Sequence, residues 1–212
     1  MDLIHPKVEA YAGNYSTQED ELLKKIADYT FKNHPEPHML SGQLQGQVLQ
    51  MTSHMIRPKR ILEIGTFTGY SALCLAKGLA DDGILHTIEL READSLKAKE
   101  FFDQSQYKER IILHTGSALD ILPGLHETWD LVFIDADKPA YIEYFNLVLP
   151  NLRKNGFILA DNIFFHGQVL EEVMKGKSAK GIQAFNDMIR QRDDIEKVIL
   201  TIRDGLFLIR KL

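Results

Sequence analysis

Ile61-Leu62-Glu63-Ile64-Gly65-Thr66-Phe67-Thr68-Gly69-Tyr70-Ser71 reads as a buried strand, a glycine turn and the first turn of a helix. Ile61, Leu62 and Ile64 supply the apolar strand. Gly65 and Gly69 let the backbone turn tightly and come close to a ligand with no Cβ in the way. Ser71 and the free N–H groups of the new helix suit an anionic or polar ligand group. Glu63 can accept hydrogen bonds from a cationic or hydroxylated ligand but would repel a pyrophosphate. A dinucleotide turn needs G-x-G-x-x-G, whereas this one is G-x-x-x-G with Phe67 inside it. No Gly-Lys-Ser/Thr follows, so a phosphate loop is excluded. The ligand is better pictured as a nucleoside with an amino-acid tail. Glu89 closes the apolar run Ile84-Leu85-His86-Thr87-Ile88, 20 residues past Gly69. An acidic side chain at the tip of a second strand is placed to hold a ribose diol. A purely structural glycine turn is the competing reading.

Outward from this motif, strands and helices alternate. Strands are expected at 60–64, 84–89, 110–114, 129–134 and 156–160, with helices near 70–80, 92–107, 117–122 and 140–150. That order implies an α/β fold with a doubly wound, mostly parallel sheet. The end departs from it. Residues 195–202 and 206–209, with Asp204-Gly205 between them, read as an antiparallel hairpin. Before the motif the chain looks helical. Ser16 or Thr17 can cap a helix through Leu22, Leu23, Ile26, Ala27 and Phe31, broken by His34-Pro35-Glu36-Pro37. A second helix runs from Gln43 to Ile56 and ends at Arg57-Pro58. The expectation is one domain over 1–212, a helical cap (1–58) on an α/β core (59–212).

Bulk properties narrow the partners. The chain has 212 residues, 44% hydrophobic and 26% charged, as expected for a globular protein with a substantial core. A net charge of −5 with no Lys/Arg-rich block argues against nucleic acid. The apolar runs are strand-sized, so no membrane span is expected. Met1-Asp2-Leu3-Ile4-His5-Pro6 shows no basic region followed by an apolar core, so no leader is expected either. Cys74, the lone cysteine, falls on an apolar helix face and reads as a core thiol. With no disulfide framework, the expected location is cytoplasmic.

Ligands in such sheets bind outside the carboxyl ends of the strands. Two strand ends carry unusual chemistry there: Ile134-Asp135-Ala136-Asp137-Lys138 and Ala160-Asp161-Asn162. Asp135, Asp161 and Asn162 together make an all-oxygen set, which hard cations such as Mg²⁺, Mn²⁺ or Ca²⁺ prefer. Helix capping is the ordinary alternative for an Asp after a strand. Lys138 reads as a surface lysine, or as a base if a cation beside it disfavours the ammonium.

These residues together resemble the cation-dependent class I O-methyltransferases, which include catechol and caffeoyl-CoA O-methyltransferases and small bacterial relatives. The resemblance runs from about Tyr11 to the hairpin. It is carried by Glu-Ile-Gly-x-x-x-Gly-Tyr-Ser at 63–71, Asp-Ala-Asp-Lys-x-x-Tyr at 135–141, Asp-Asn at 161–162, and Met39-Leu40-Ser41 followed by Gly46-Gln47. It implies S-adenosylmethionine as methyl donor. Glu63, Gly65 and Ser71, helped by Ser41, would hold its amino-acid end. Glu89 would take the ribose, and Ser117 and Ala118 would lie along the adenine. Met39 would sit near the methyl group. Asp135, Asp161 and Asn162 match the divalent-metal ligands, and Lys138 matches the general base. The implied acceptor is a small catechol-like phenol, and the implied assembly a homodimer. Phe165 stands where many relatives place Trp, which still leaves an aromatic wall for a ring. Residues 180–186 lack an arginine that relatives often carry, which disfavours a CoA thioester. His166 reads as an exposed loop residue, with a substrate contact as the alternative. A nicotinamide-dependent oxidoreductase and a non-enzymatic nucleoside-binding protein are the rival readings.

Overall fold

Seven strands form one sheet in the order β3-β2-β1-β4-β5-β7-β6 in the computed structural model, which describes residues 3–212. Met1 and Asp2, where the N-terminal segment read for a leader begins, lie outside the described residues. The strands are β1 (Arg60–Ile64), β2 (Ile84–Glu89), β3 (Ile111–Thr115), β4 (Trp129–Ile134), β5 (Leu152–Asp161), β6 (Ile195–Leu200) and β7 (Leu206–Lys211). Five pair in parallel and β7 runs antiparallel between β5 and β6. The expected C-terminal hairpin is therefore present, with its last strand inserted inside the sheet.

The helices are α1 (Pro6–Tyr15), α2 (Glu21–Asn33), α3 (Gly42–Ile56), α4 (Tyr70–Ala76), α5 (Glu92–Phe102), α6 (Ala118–Ile121), α7 (Tyr141–Val148) and α8 (Gly176–Gln191). Strand alternation splits the core in two. Ile61, Leu85, Leu131, Phe133 and Leu159 face α2 to α5. Leu62, Ile64, Val132, Ile134 and Ile158 face α6 to α8. Each fully buried Leu, Ile or Phe contributes about 1.5–3 kcal/mol, and the central strands are buried on both faces, so the middle of the sheet is the rigid part of the molecule.

Three local expectations are corrected. The first long helix is capped by Asp20, which accepts from the Leu23 N–H at 2.9 Å, and Ser16 instead ends the separate α1. The strand expected at 156–160 starts at Leu152 and passes through Asn155, which has φ 60°. A helix, α8, covers 176–191, where none was expected.

Chain order places the site. From β1 the sheet grows outward through β2 to β3, then returns to the other side of β1 as β4. The crevice at that switch lies between the carboxyl ends of β1 and β4. The Asp135 N–H donates to the Ile64 carbonyl at 2.9 Å there. Gly65 follows at φ 102°, and a Cβ on it would lie 2.1 Å from the Asp135 carbonyl oxygen. Only glycine fits this approach, so the glycine of the motif joins the two strand ends that frame the crevice.

Candidate active site

A cavity of about 620 Å³ opens at this switch point. Met39, Ser41, Gly65, Ser71, Glu89, Ser117, Ala118, Asp135, Lys138, Asp161 and Asn162 all line it. Of the residues singled out in the sequence, Glu63 is not on the wall. It lies on the β1 face covered by α4, fully buried, and accepts from the Thr87 hydroxyl at 2.5 Å. Its second oxygen has no hydrogen-bond partner.

Burial is the main force pushing the Glu63 carboxyl up to about 8; the Asp135 and Glu89 charges add to it, and hydrogen bonds from Ser71 and Thr87 oppose it. The raised value means that the folded state holds a proton that the unfolded chain releases near the ordinary carboxyl value of 4.5. Stability from this group is complete below that value and is lost as pH rises through about 8. Ligand-free protein is expected to lose stability between pH 5 and 8, with a slope of up to about 1.4 kcal/mol per pH unit. Glu63→Gln should flatten that slope. Denaturant titrations at several pH values, giving parallel curves for both proteins, would count against the assignment.

The side of the cavity expected to take a nucleoside is built on the glycine turn. Both Glu89 oxygens are anchored: the Phe67 N–H donates to one at 2.6 Å and the Arg91 N–H to the other at 2.9 Å. Burial still holds the Glu89 carboxyl above its usual value. Phe67 is thereby kept at φ 51°. The Thr30 and Thr68 hydroxyls, 3.0 Å apart, tie α2 to the same turn. Apolar Leu90 and Leu119 complete the wall beside Ser117 and Ala118.

The opposite side is charged. Asp161 is 1% exposed. One of its oxygens accepts the Asn162 N–H at 2.8 Å and the other accepts Gln45 Nε2 at 2.7 Å. Burial, then repulsion from Asp135, holds its carboxyl well above the usual range. Lys138 Nζ donates to Asp135 Oδ1 and to the Tyr141 hydroxyl, each at 2.9 Å. The Tyr141 oxygen in turn lies 3.2 Å from the Ile134 carbonyl and 3.1 Å from that of Asp161. A single hydroxyl thus bridges the ends of β4 and β5 and supports the lysine. Burial alone would push the Lys138 ammonium down, but Asp135, Tyr141 and Asp161 outweigh it and hold the group above the normal lysine range. In this state Lys138 is a cation, so the neutral amine anticipated from the sequence needs Asp135 to be engaged elsewhere.

The donor set suits a hard cation. The Asp135 charge raises the cost of ionising Asp161, and a divalent ion between the two carboxylates would offset that cost. Among the described residues no group of three or more His, Cys, Asp or Glu side chains is arranged to hold a metal ion; Asn162 lines the cavity beside the two aspartates and offers an amide oxygen.

Phe165 lines the cavity, whereas Phe164 packs toward the hairpin, where a Cβ on Gly205 would lie 2.6 Å from its ring. The aromatic wall is therefore Phe165 alone of that pair. His166 is exposed, as expected, but it also lines the cavity, and its backbone N–H donates to Asp204 Oδ1 at 2.6 Å. Tyr70, Tyr144 and Arg203 also line the cavity and were not singled out in the sequence. Tyr70 lay inside the quoted motif and could have been. Arg203 sits in a hairpin turn and carries no local signal. Cys74 is buried, and burial pushes its thiol up, so it is an inert core residue.

Nearly the whole chain is similar to known proteins. The profile of a family described as O-methyltransferase matches residues 13–212. A catechol O-methyltransferase of Niastella koreensis is 33% identical over 201 residues, 93% of this chain and 90% of that protein. A probable caffeoyl-CoA O-methyltransferase of Dictyostelium discoideum is 30% identical over 208 residues, 95% of this chain and 90% of that protein. Among solved structures, the O-methyltransferase TomG of Streptomyces achromogenes, in complex with SAM, superposes with a TM-score of 0.89 at 31% identity, over 97% of this chain and 96% of that one. An O-methyltransferase from Bacillus cereus, in complex with SAH, gives 0.90 at 27% identity over 97% of each chain.

Proposed function

The chain belongs to the O-methyltransferase family and is a methyltransferase, and we propose that it moves a methyl group from S-adenosylmethionine to one oxygen of a vicinal diol on a small phenolic ring. The observation that carries this reading is the division of one cavity into two chemistries. Glu89, Gly65, Ser71 and the Ser117–Ala118 edge lie on one side, and Asp135, Asp161, Asn162 and Lys138 on the other. The SAM bound by the Streptomyces relative and the SAH bound by the Bacillus relative support the nucleoside side. Neither rival reading accounts for Lys138 and the paired aspartates, and the family match disfavours both.

S-adenosylmethionine would supply an electrophilic methyl group on a sulfonium. Glu89 would accept the ribose hydroxyls. Gly65, Ser71 and Ser41 would meet the amino-acid end, and its ammonium would favour the ionised form of the Glu63 carboxyl buried behind them. Met39 would fill space beside the methyl group. In-line displacement needs oxygen, carbon and sulfur nearly collinear, so this fixed wall would supply much of the acceleration by alignment. A divalent cation (Mg²⁺, Mn²⁺ or Ca²⁺) held by Asp135, Asp161 and Asn162 would orient the two acceptor oxygens and lower their pKa. With Asp135 engaged in that way, Lys138 would keep Tyr141 as its support, and burial would favour its neutral amine. Lys138 would then take the proton of the reacting oxygen, while Phe165 would flank the ring.

The described residues contain no helix long and apolar enough to cross a membrane. We further infer a cytoplasmic homodimer built from one domain with a helical N-terminal cap; the reduced core thiol and the family resemblance support this.

The test is shape. Calorimetry should show S-adenosylmethionine binding, and a catechol should be methylated at least 10-fold faster than its monophenol analogue, because a lone hydroxyl forfeits one of two charge-assisted contacts. Equal rates on the two would refute bidentate recognition of the acceptor.

A further inference from the structure

Arg203 is the one cationic side chain of the hairpin turn that reaches the cavity, and it also lines a second, more open groove that runs from α1 past His38 and Ser41. Its backbone stands at φ 45°. For a non-glycine residue that conformation is costly, and it persists because the tight turn between β6 and β7 holds it. Its Nη1 donates to Gln45 Oε1 at 2.9 Å. Gln45 is 1% exposed and passes its own N–H to Asp161. The guanidinium is thus aimed by a buried amide and stands one amide away from the proposed metal ligand. It has no acidic partner within ion-pair distance among the described residues, although the other Arg and Lys side chains nearest the cavity, Arg91 and Lys138, are paired. Its remaining N–H groups form a planar fork, the geometry that fits a carboxylate.

We propose that Arg203 selects methyl acceptors that carry a carboxylate on or near the ring, binding it where the cavity meets the second groove. The inference rests on the acceptor being a vicinal diol, and it deepens that reading from catechols in general to catechol acids. A structural role, in which Arg203 only balances the charge of Asp161, is the alternative.

Matched acceptors separate the two. Protocatechuic acid would be compared with its primary amide, and caffeic acid with its amide, in wild-type protein, Arg203→Gln and Arg203→Lys. The wild type should prefer each acid over its amide in kcat/KM. In R203Q that acid-to-amide ratio should fall about 10- to 100-fold, as expected for the loss of a charge-assisted pair. R203K should fall between. Calorimetric Kd values for the acids, measured with S-adenosylhomocysteine present, should weaken in parallel. A ratio that stays unchanged in R203Q, however far both rates drop, overturns the proposal in favour of charge balance. If R203Q does not fold, the wild type decides alone, since a preference for the amides overturns it too. Turnover of amides without acid preference would leave the proposed function standing and remove only this inference. Absence of turnover on every catechol would remove both. Preference for the short or the long acid tells whether the carboxylate sits on the ring or at the end of a side chain.

Discussion

Asp161→Ala is expected to bring methyl transfer to background, and excess EDTA is expected to do the same to the wild-type protein. Asp161 is buried at the end of β5 and is held on both oxygens, by Asn162 and Gln45. It supplies one of two carboxylates in the proposed cation site, and its loss leaves one carboxylate and one amide, too few for a hard divalent ion. Added Mg²⁺ or Mn²⁺ should restore the EDTA-treated wild type but not the variant. Affinity for S-adenosylmethionine should survive in large part, because Asp161 stands on the acceptor side of the cavity. That separation also guards against simple misfolding, since a misfolded chain would lose both. Full activity of metal-stripped protein in EDTA would overturn the metal mechanism outright.

Lys138→Ala should slow turnover by about 10²- to 10³-fold, the lower part of the range for loss of a general base. The upper part is not expected, because the acceptor is already acidified where it binds. The variant should keep its metal and its cofactor. The Tyr141 hydroxyl loses a donor but keeps the Ile134 and Asp161 carbonyls, so the ends of β4 and β5 stay tied. Raising the pH should recover part of the rate as solvent takes over the deprotonation. Wild-type turnover in Lys138→Ala, under conditions where chemistry limits the rate, would remove the base and leave the rest of the site intact.

The parts of the site that could be read from sequence are those written in short spacings. The glycine turn, the acidic tip of β2 and the strand-end aspartates are local patterns, and Glu89, Asp135, Asp161 and Asn162 stand on the cavity wall as their positions implied. What could not be read depends on contacts between distant segments. Gln45 meets Asp161 across 116 positions and Arg203 across 158, and no spacing rule reports such a pair. Glu63 was legible as important but not as buried behind the wall, because strand alternation sends it to the α4 side. Two elements were hidden by punctuation. Asn155-Gly156 looks like a turn, yet β5 continues through it. Gly181 weakens any helix reading of 176–191. In the fold it is needed, because a Cβ there would come within 2.9 Å of the Lys138 carbonyl. The same residue that obscures α8 in the sequence lets that helix close against the lysine turn.

The insertion of β7 between β5 and β6 has a consequence for biosynthesis. During translation the nucleoside half of the cavity, built from residues 39 to 118, emerges first and can begin to order while the chain is still being made. The acceptor half cannot. Arg203, which Gln45 awaits from α3, and β7, which shields β5 beside Asp161, leave the ribosome well after the residues of the first half. A nascent or C-terminally clipped chain would therefore hold an incomplete acceptor site even where its donor site had formed. Methyl-transfer competence should therefore appear only once the hairpin has emerged and paired with β5.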